Sequence, residues 1–70
     1  MKTREEIGAV LKDARLFKGY SRQKLGELIG YTGRCDNNVY SFESGKTYPP
    51  YERLRALHEV LGVPYEDMIP

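Results

Sequence analysis

Apolar residues recur along the chain in short helical registers, each broken by a glycine. The first register runs from about Arg4 to Lys18, with Ile7, Val10, Leu11, Ala14 and Phe17 at the spacing of one helix face. Leu16 and Phe17 are adjacent, so both cannot face the core. Gly19 follows as a C-terminal stop. Ser21 is a good N-cap for a second helix with Leu25, Leu28 and Ile29 as its apolar face, ending at Gly30. The polar stretch from Tyr31 to Asn38 reads as a turn or a helix start. Val39 and Phe42 then form an inward i, i+3 pair on a third helix that Gly45 closes. Tyr48-Pro49-Pro50 is a stiff connector. Pro50 suits the first turn of a fourth helix, where its missing N–H would be unpaired anyway. Leu54, Leu57 and Leu61 make that helix's stripe, with Val60 beside it and Gly62 as its stop. Pro64 opens a short last turn containing Tyr65, Met68 and Ile69. The pattern therefore predicts an all-α fold, five short helices converging on one core in a single domain over residues 1–70.

Composition narrows the function classes. A chain of 70 residues buries only roughly 60% of its unfolded surface, so the helices must share their core. No apolar run approaches the roughly 20 residues of a membrane-crossing helix. The start, Lys2-Thr3-Arg4-Glu5-Glu6, lacks the apolar stretch of a signal peptide. Cys35 has no internal disulfide partner, which suits a reducing compartment, and a cytoplasmic protein is expected.

The net charge of +1 conceals an uneven distribution. Residues 1–14 balance. Residues 15–48 carry Arg15, Lys18, Arg22, Lys24, Arg34 and Lys46 against Glu27, Asp36 and Glu43. Residues 49–70 are net acidic through Glu52, Glu59, Glu66 and Asp67. The middle of the chain is thus where an anionic partner would dock.

Catalytic chemistry finds no constellation. His58 and Cys35 are single and unpaired, so neither a metal site nor an activated nucleophile is expected. Gly45-Lys46-Thr47 ends like a phosphate-binding loop, but Tyr40 stands where that motif needs its first glycine. No cofactor, metal or small-molecule ligand is expected.

The second and third helices, joined through Gly30, have the lengths of a helix-turn-helix. The ordered pattern is Ile7-Gly8, Leu11, Arg15, Gly19-Tyr20-Ser21-Arg22, Leu25, Gly30, Val39 and Phe42-Glu43-Ser44-Gly45-Lys46. It continues with Pro49, Leu54, Leu57, Leu61-Gly62-Val63 and Asp67-Met68-Ile69. Over residues 7–69 this resembles the phage-repressor and Cro type of helix-turn-helix domain, the XRE family. The resemblance implies a five-helix lambda-repressor-like fold and a sequence-specific regulator, a repressor, that binds an inverted repeat of double-stranded DNA as a homodimer.

The resemblance also implies residue roles. Arg15 and Glu43 would form a partly buried ion pair fixing the recognition helix to its scaffold. Arg22, Ser44, Lys46 and Tyr48 would contact phosphates, which position a protein on DNA without reading sequence. Asp36, Asn37 and Ser41 match base-reading positions, with Asn38 on the same outward side. Asparagine pairs bidentately with adenine. Tyr51, Val63, Tyr65, Met68 and Ile69 would form a dimer contact or simply complete the core. One departure stands out. Between Gly30 and Glu43 the chain carries three residues more than the family's usual spacing, around Tyr31 to Arg34. They either lengthen the turn or extend the third helix, and Arg34 becomes a base reader, a phosphate contact or neither. The alternative is a helix-turn-helix scaffold used as a protein-interaction module, an antitoxin or antirepressor partner. The longer turn and near-neutral charge favour it, whereas the residues at the phosphate positions favour DNA.

Overall fold

A computed structural model describes residues 2–70; Met1, the first residue of the predicted domain, lies outside them. Four α-helices form: α1 (Arg4–Lys18), α2 (Arg22–Leu28), α3 (Asp36–Glu43) and α4 (Tyr51–Leu61). Among the described residues there is no strand. Local chemistry sets the helix limits. Thr3 caps α1 by accepting from the Glu6 N–H at 3.1 Å, while the Thr3 N–H donates to Glu6 Oε1 at 2.9 Å. This reciprocal box satisfies two otherwise orphaned donors. The same Thr3 N–H, and then its hydroxyl, hold the Glu6 carboxyl below its ordinary range. Gly19 ends α1 in the left-handed region at φ 79°, which a side chain would resist. Ser21 caps α2 by accepting from the Lys24 N–H at 3.0 Å.

Two details differ from the pattern's prediction. Pro50 is the N-cap of α4, extended at φ −62° and ψ 141°, and Tyr51 is the first helical residue. The predicted fifth helix is a single 3₁₀ turn, Tyr65–Asp67. Its bonds run from the Asp67 N–H to Pro64 O and from the Met68 N–H to Tyr65 O. Helix nucleation is costly, and the segment lies between two prolines. Pro70 also disfavours helical geometry at Ile69, so no α-helix propagates.

The core gathers Ile7 and Leu11 of α1, Leu25 of α2, Val39 and Phe42 of α3, and Leu54, Leu57 and Leu61 of α4. Ile29, Val63 and Met68 close it from the connecting segments. Phe17 and Leu16, one of which was expected inside, are 89% and 57% exposed, and Leu28 also stands in solvent. These side chains lie at stripe edges, where the converging helices leave them uncovered.

Gly8 lets α1 approach α3 closely. A Cβ at this position would lie 2.5 Å from Phe42 O and against Glu43 O, main-chain atoms that cannot rotate away. Gly8→Ala is therefore expected to destabilise the domain by roughly 1–3 kcal/mol despite alanine's higher helix propensity. Urea denaturation measures this, and an unchanged midpoint would show that the two helices can part freely.

Candidate nucleic-acid interface

One carboxylate ties three helices together. Glu43, the last residue of α3, faces Arg15 in the last turn of α1. Arg15 Nε donates to Glu43 Oε2 at 2.6 Å and Nη2 donates to Oε1 at 3.2 Å. Arg15 Nη1 donates to Tyr20 O at 2.8 Å, so the guanidinium is occupied on both sides. Both residues are buried. Arg22, the first residue of α2, brings its Nε to 3.4 Å from Glu43 Oε1.

Outside this node lies a cationic surface. The Arg22 guanidinium stands 5.2 Å from the Tyr40 ring centroid, and Lys46 Nζ is 5.7 Å from the same ring. Ser44 is exposed, and its hydroxyl donates to Ser41 O at 3.2 Å, so it must leave that carbonyl to donate outward. Tyr48 is exposed beside the Arg4 guanidinium, which lies 5.9 Å from its ring and donates to Lys46 O at 3.2 Å. Arg22, Ser44 and Lys46 thus gather where α2 begins and α3 ends, around the exposed Tyr40 of α3's outward side, and Tyr48 lies beside Arg4, a neighbour the sequence pattern did not mark.

On α3, Asn37 and Asn38 are exposed. Ser41 is half-buried and donates back to Asn37 O at 3.0 Å. Asp36 is also half-buried; its Oδ1 has no hydrogen-bond partner, and its Oδ2 is 3.9 Å from Arg34 Nη2. Residues Tyr31 to Arg34 lie in the turn, since α3 begins only at Asp36. Arg34 stands on that turn with its side chain in solvent.

Side chains, rather than secondary structure, hold the turn. Gln23 Nε2 donates to Gly33 O at 2.8 Å and to Glu27 Oε2 at 3.0 Å, while its Oε1 accepts from the Cys35 N–H at 3.1 Å. Arg53 reaches over from α4, donating to Ile29 O at 3.3 Å with its guanidinium 4.3 Å from the Tyr31 ring. Cys35 is fully buried against Gly26, and its thiol donates to Gln23 O at 3.4 Å. It is a packing residue. Gln23 and Arg53 escaped the sequence reading because a side chain bonding to a turn leaves no periodic trace.

The C-terminal end separates into two groups. Tyr51 is 83% exposed, and Tyr65 and Ile69 are also exposed. Val63 and Met68, counted among the dimer candidates, are only 5% and 1% exposed. They belong to the domain's own core because the chain after α4 folds back over Leu54 and Leu57. Tyr65 stacks on His58 at 4.4 Å, and His58 Nδ1 donates to Val63 O at 2.8 Å, which secures that return. Tyr48, Pro49, Tyr51, Met68 and Ile69 border an apolar groove of 270 Å³. No helix among the described residues is long and apolar enough to cross a membrane.

Comparison with known proteins gives one informative likeness. The chain is 35% identical over 57 residues to the SPbeta prophage-derived uncharacterized HTH-type transcriptional regulator YonR of Bacillus subtilis (strain 168). The match covers 81% of this chain but 50% of the relative, so the chain spans about half that protein's length. No family model matches the chain. No solved structure matches it either. The likeness and the all-helical architecture together support a helix-turn-helix domain of a transcriptional regulator.

Two expectations follow from the geometry. Arg15→Ala leaves the Glu43 carboxylate buried without its bidentate partner and should cost roughly 3–5 kcal/mol. Replacing the pair together, Arg15→Met with Glu43→Leu, should recover most of that loss in chemical denaturation. A double variant as unstable as Arg15→Ala would make the pair a net stabiliser. Gln23→Ala leaves the part-buried Cys35 N–H unpaired and gives the exposed Gly33 O over to solvent, and should destabilise by about 1–3 kcal/mol. Amide exchange read residue by residue should locate the loosening in the segment 29–35. Unchanged protection there would show that Arg53 alone holds the turn.

Proposed function

We propose that the chain is a sequence-specific DNA-binding transcriptional regulator of the XRE type, a repressor that acts in the cytoplasm and binds an inverted repeat as a homodimer. The observation that carries this reading is the Arg15–Glu43–Arg22 node. It locks α3 with Asn37 and Asn38 outward while Arg22 and Lys46 stand together over Tyr40 where α3 ends. A helix presenting amides from its first turn and cations where it ends has the chemistry of groove reading: cations anchor the backbone, and amides discriminate bases.

In this mechanism α3 enters the major groove and Asn37, Asn38 and Ser41 reach base edges. Asp36 accepts from a cytosine amine, and Arg34 meets the backbone or a guanine beside the long turn. Arg22, Ser44, Lys46 and Tyr48 hold phosphates. Two subunits pair through Tyr51, Tyr65 and Ile69, setting their recognition helices roughly 34 Å apart, one helical turn of DNA. Occupying the operator excludes RNA polymerase. The likeness to a protein named an HTH-type transcriptional regulator supports the same reading. No cofactor takes part, and the chemistry is binding rather than catalysis.

Selection from a random-duplex pool across a salt series tests the proposal. It should enrich an inverted repeat with half-sites about one helical turn apart, with affinity falling steeply as salt rises. Arg22→Ala and Lys46→Ala should each weaken binding without changing the enriched sequence. An unenriched pool, insensitive to both substitutions, overturns the reading and leaves the Tyr31–Asn38 surface as a protein-interaction site.

A further inference from the structure

A cleft of 220 Å³ opens where α1, α2 and α3 meet, walled by Lys12, Arg22, Tyr40, Glu43 and Ser44. Lys12 and Arg22 line it, Lys46 approaches over the Tyr40 ring, and Glu43 is its one carboxylate. Arg15 already pairs both Glu43 oxygens, so this one carboxylate stands against Arg15, Arg22 and Lys12 and leaves the cleft net positive. Arg22 Nε is shielded from solvent and makes no hydrogen bond, although Glu43 Oε1 lies 3.4 Å away. The Arg22 side chain as a whole is 42% exposed, so the solvent-facing part of the guanidinium keeps donors for an incoming anion.

Tyr40 explains how the cations are gathered. It belongs to α3, yet its ring meets the guanidinium of Arg22 from α2 and the ammonium of Lys46 from beyond α3. The negative face of the ring attracts both, against their mutual repulsion. No acidic side chain could do this without cancelling the charge. The ring concentrates positive charge and leaves it available.

We propose that this cleft is the seat of one DNA backbone phosphate, with Lys12 of α1 as a direct contact and Tyr40 as the positioning residue that holds Arg22 and Lys46 over it. The inference rests on the DNA-binding reading and extends the contact surface to α1, outside the helix-turn-helix. The ligand is a phosphodiester of the duplex. Lys12, Arg22 and Lys46 supply charge-assisted donors, and Glu43 sets the floor.

Fluorescence anisotropy with a short random-sequence duplex, titrated over a range of KCl concentrations, tests it without knowledge of the operator. Lys12→Ala should reduce the slope of log affinity against log salt by about one, the mark of one lost phosphate contact. Tyr40→Leu should also lower the slope, whereas Tyr40→Phe, which keeps the ring, should match the unsubstituted protein. In a chain already carrying Arg22→Ala and Lys46→Ala, Tyr40→Leu should have no further effect, which separates positioning from any contact of its own. Lys12 and Tyr40 are exposed, so thermal melts of the variants should be unchanged. Inorganic phosphate at matched ionic strength should not displace the duplex.

If Arg22→Ala and Lys46→Ala weaken binding while Lys12→Ala and Tyr40→Leu do not, the DNA reading stands and this inference falls. Displacement by inorganic phosphate would make the cleft a free-anion site and overturn the duplex assignment. A protein that binds no duplex at any salt concentration overturns both.

Discussion

The Glu43 carboxylate is where α1, α2 and α3 are joined, and the outward surface of the domain takes its orientation from that point. A helix as short as α3 has little stability of its own, because nucleation outweighs what a few hydrogen bonds return. Val39 and Phe42 give it a buried side, but apolar packing alone tolerates rotation and sliding. The bidentate Arg15 bond tolerates much less. A shifted α3 would strand a desolvated charge, and that penalty is several times the net gain of forming the pair. The interaction therefore restricts where α3 lies more than it strengthens the fold. Gly8 is its precondition, since only a bare Cα lets α1 come near enough for Arg15 to reach.

The long turn before α3 is governed differently. Only its ends bond to helix backbone: the Tyr31 N–H donates to Gly26 O at 3.0 Å, and Cys35 O accepts from the Val39 N–H at 3.3 Å. Its other buried peptide groups must be satisfied elsewhere. Gln23 and Arg53 supply the partners from two different helices, so the turn is ordered by what surrounds it. The result is a rigid approach to α3 despite a length that would ordinarily permit motion. The domain as a whole is nearly neutral, and its cations serve by placement: Arg22, Lys46 and Lys12 converge while the acidic side chains of the C-terminal segment lie elsewhere in the chain.

Much of this was legible in the sequence. Glycines at 19, 30, 45 and 62 punctuate the chain at helix ends because each adopts a positive φ that other residues avoid. Ser21 announced α2 through its hydroxyl. The closeness of Arg15 and Glu43 was implied by family resemblance alone, since no periodicity relates residues so far apart in the chain. Periodicity also assigns a face without giving its width, which is why Phe17 and Leu28 were drawn into the core and stand outside it. Val63 and Met68 were ambiguous for a related reason: residues outside helices carry no facing information, and only the return of the chain over α4 buries them. The extent of the turn before α3 was open for the same reason, since the Gln23 amide and the Arg53 guanidinium bond to it through side chains that leave no periodic trace.

Gly26 and Cys35 meet so closely that a Cβ on the first would fall 2.8 Å from the Cβ of the second. The two positions consequently share one volume. Along a line of descent, a larger residue at position 26 is accessible only once the turn has moved off α2 or position 35 has been reduced to glycine. Such a paired change passes through an overpacked intermediate if position 26 enlarges first, but not if the loss at 35 precedes. That order leaves a small void, which is the milder defect. The junction that delivers the chain into α3 is thus tightly bound by packing, while the exposed residues of α3 a few positions on, Asn37 and Asn38, meet no such limit.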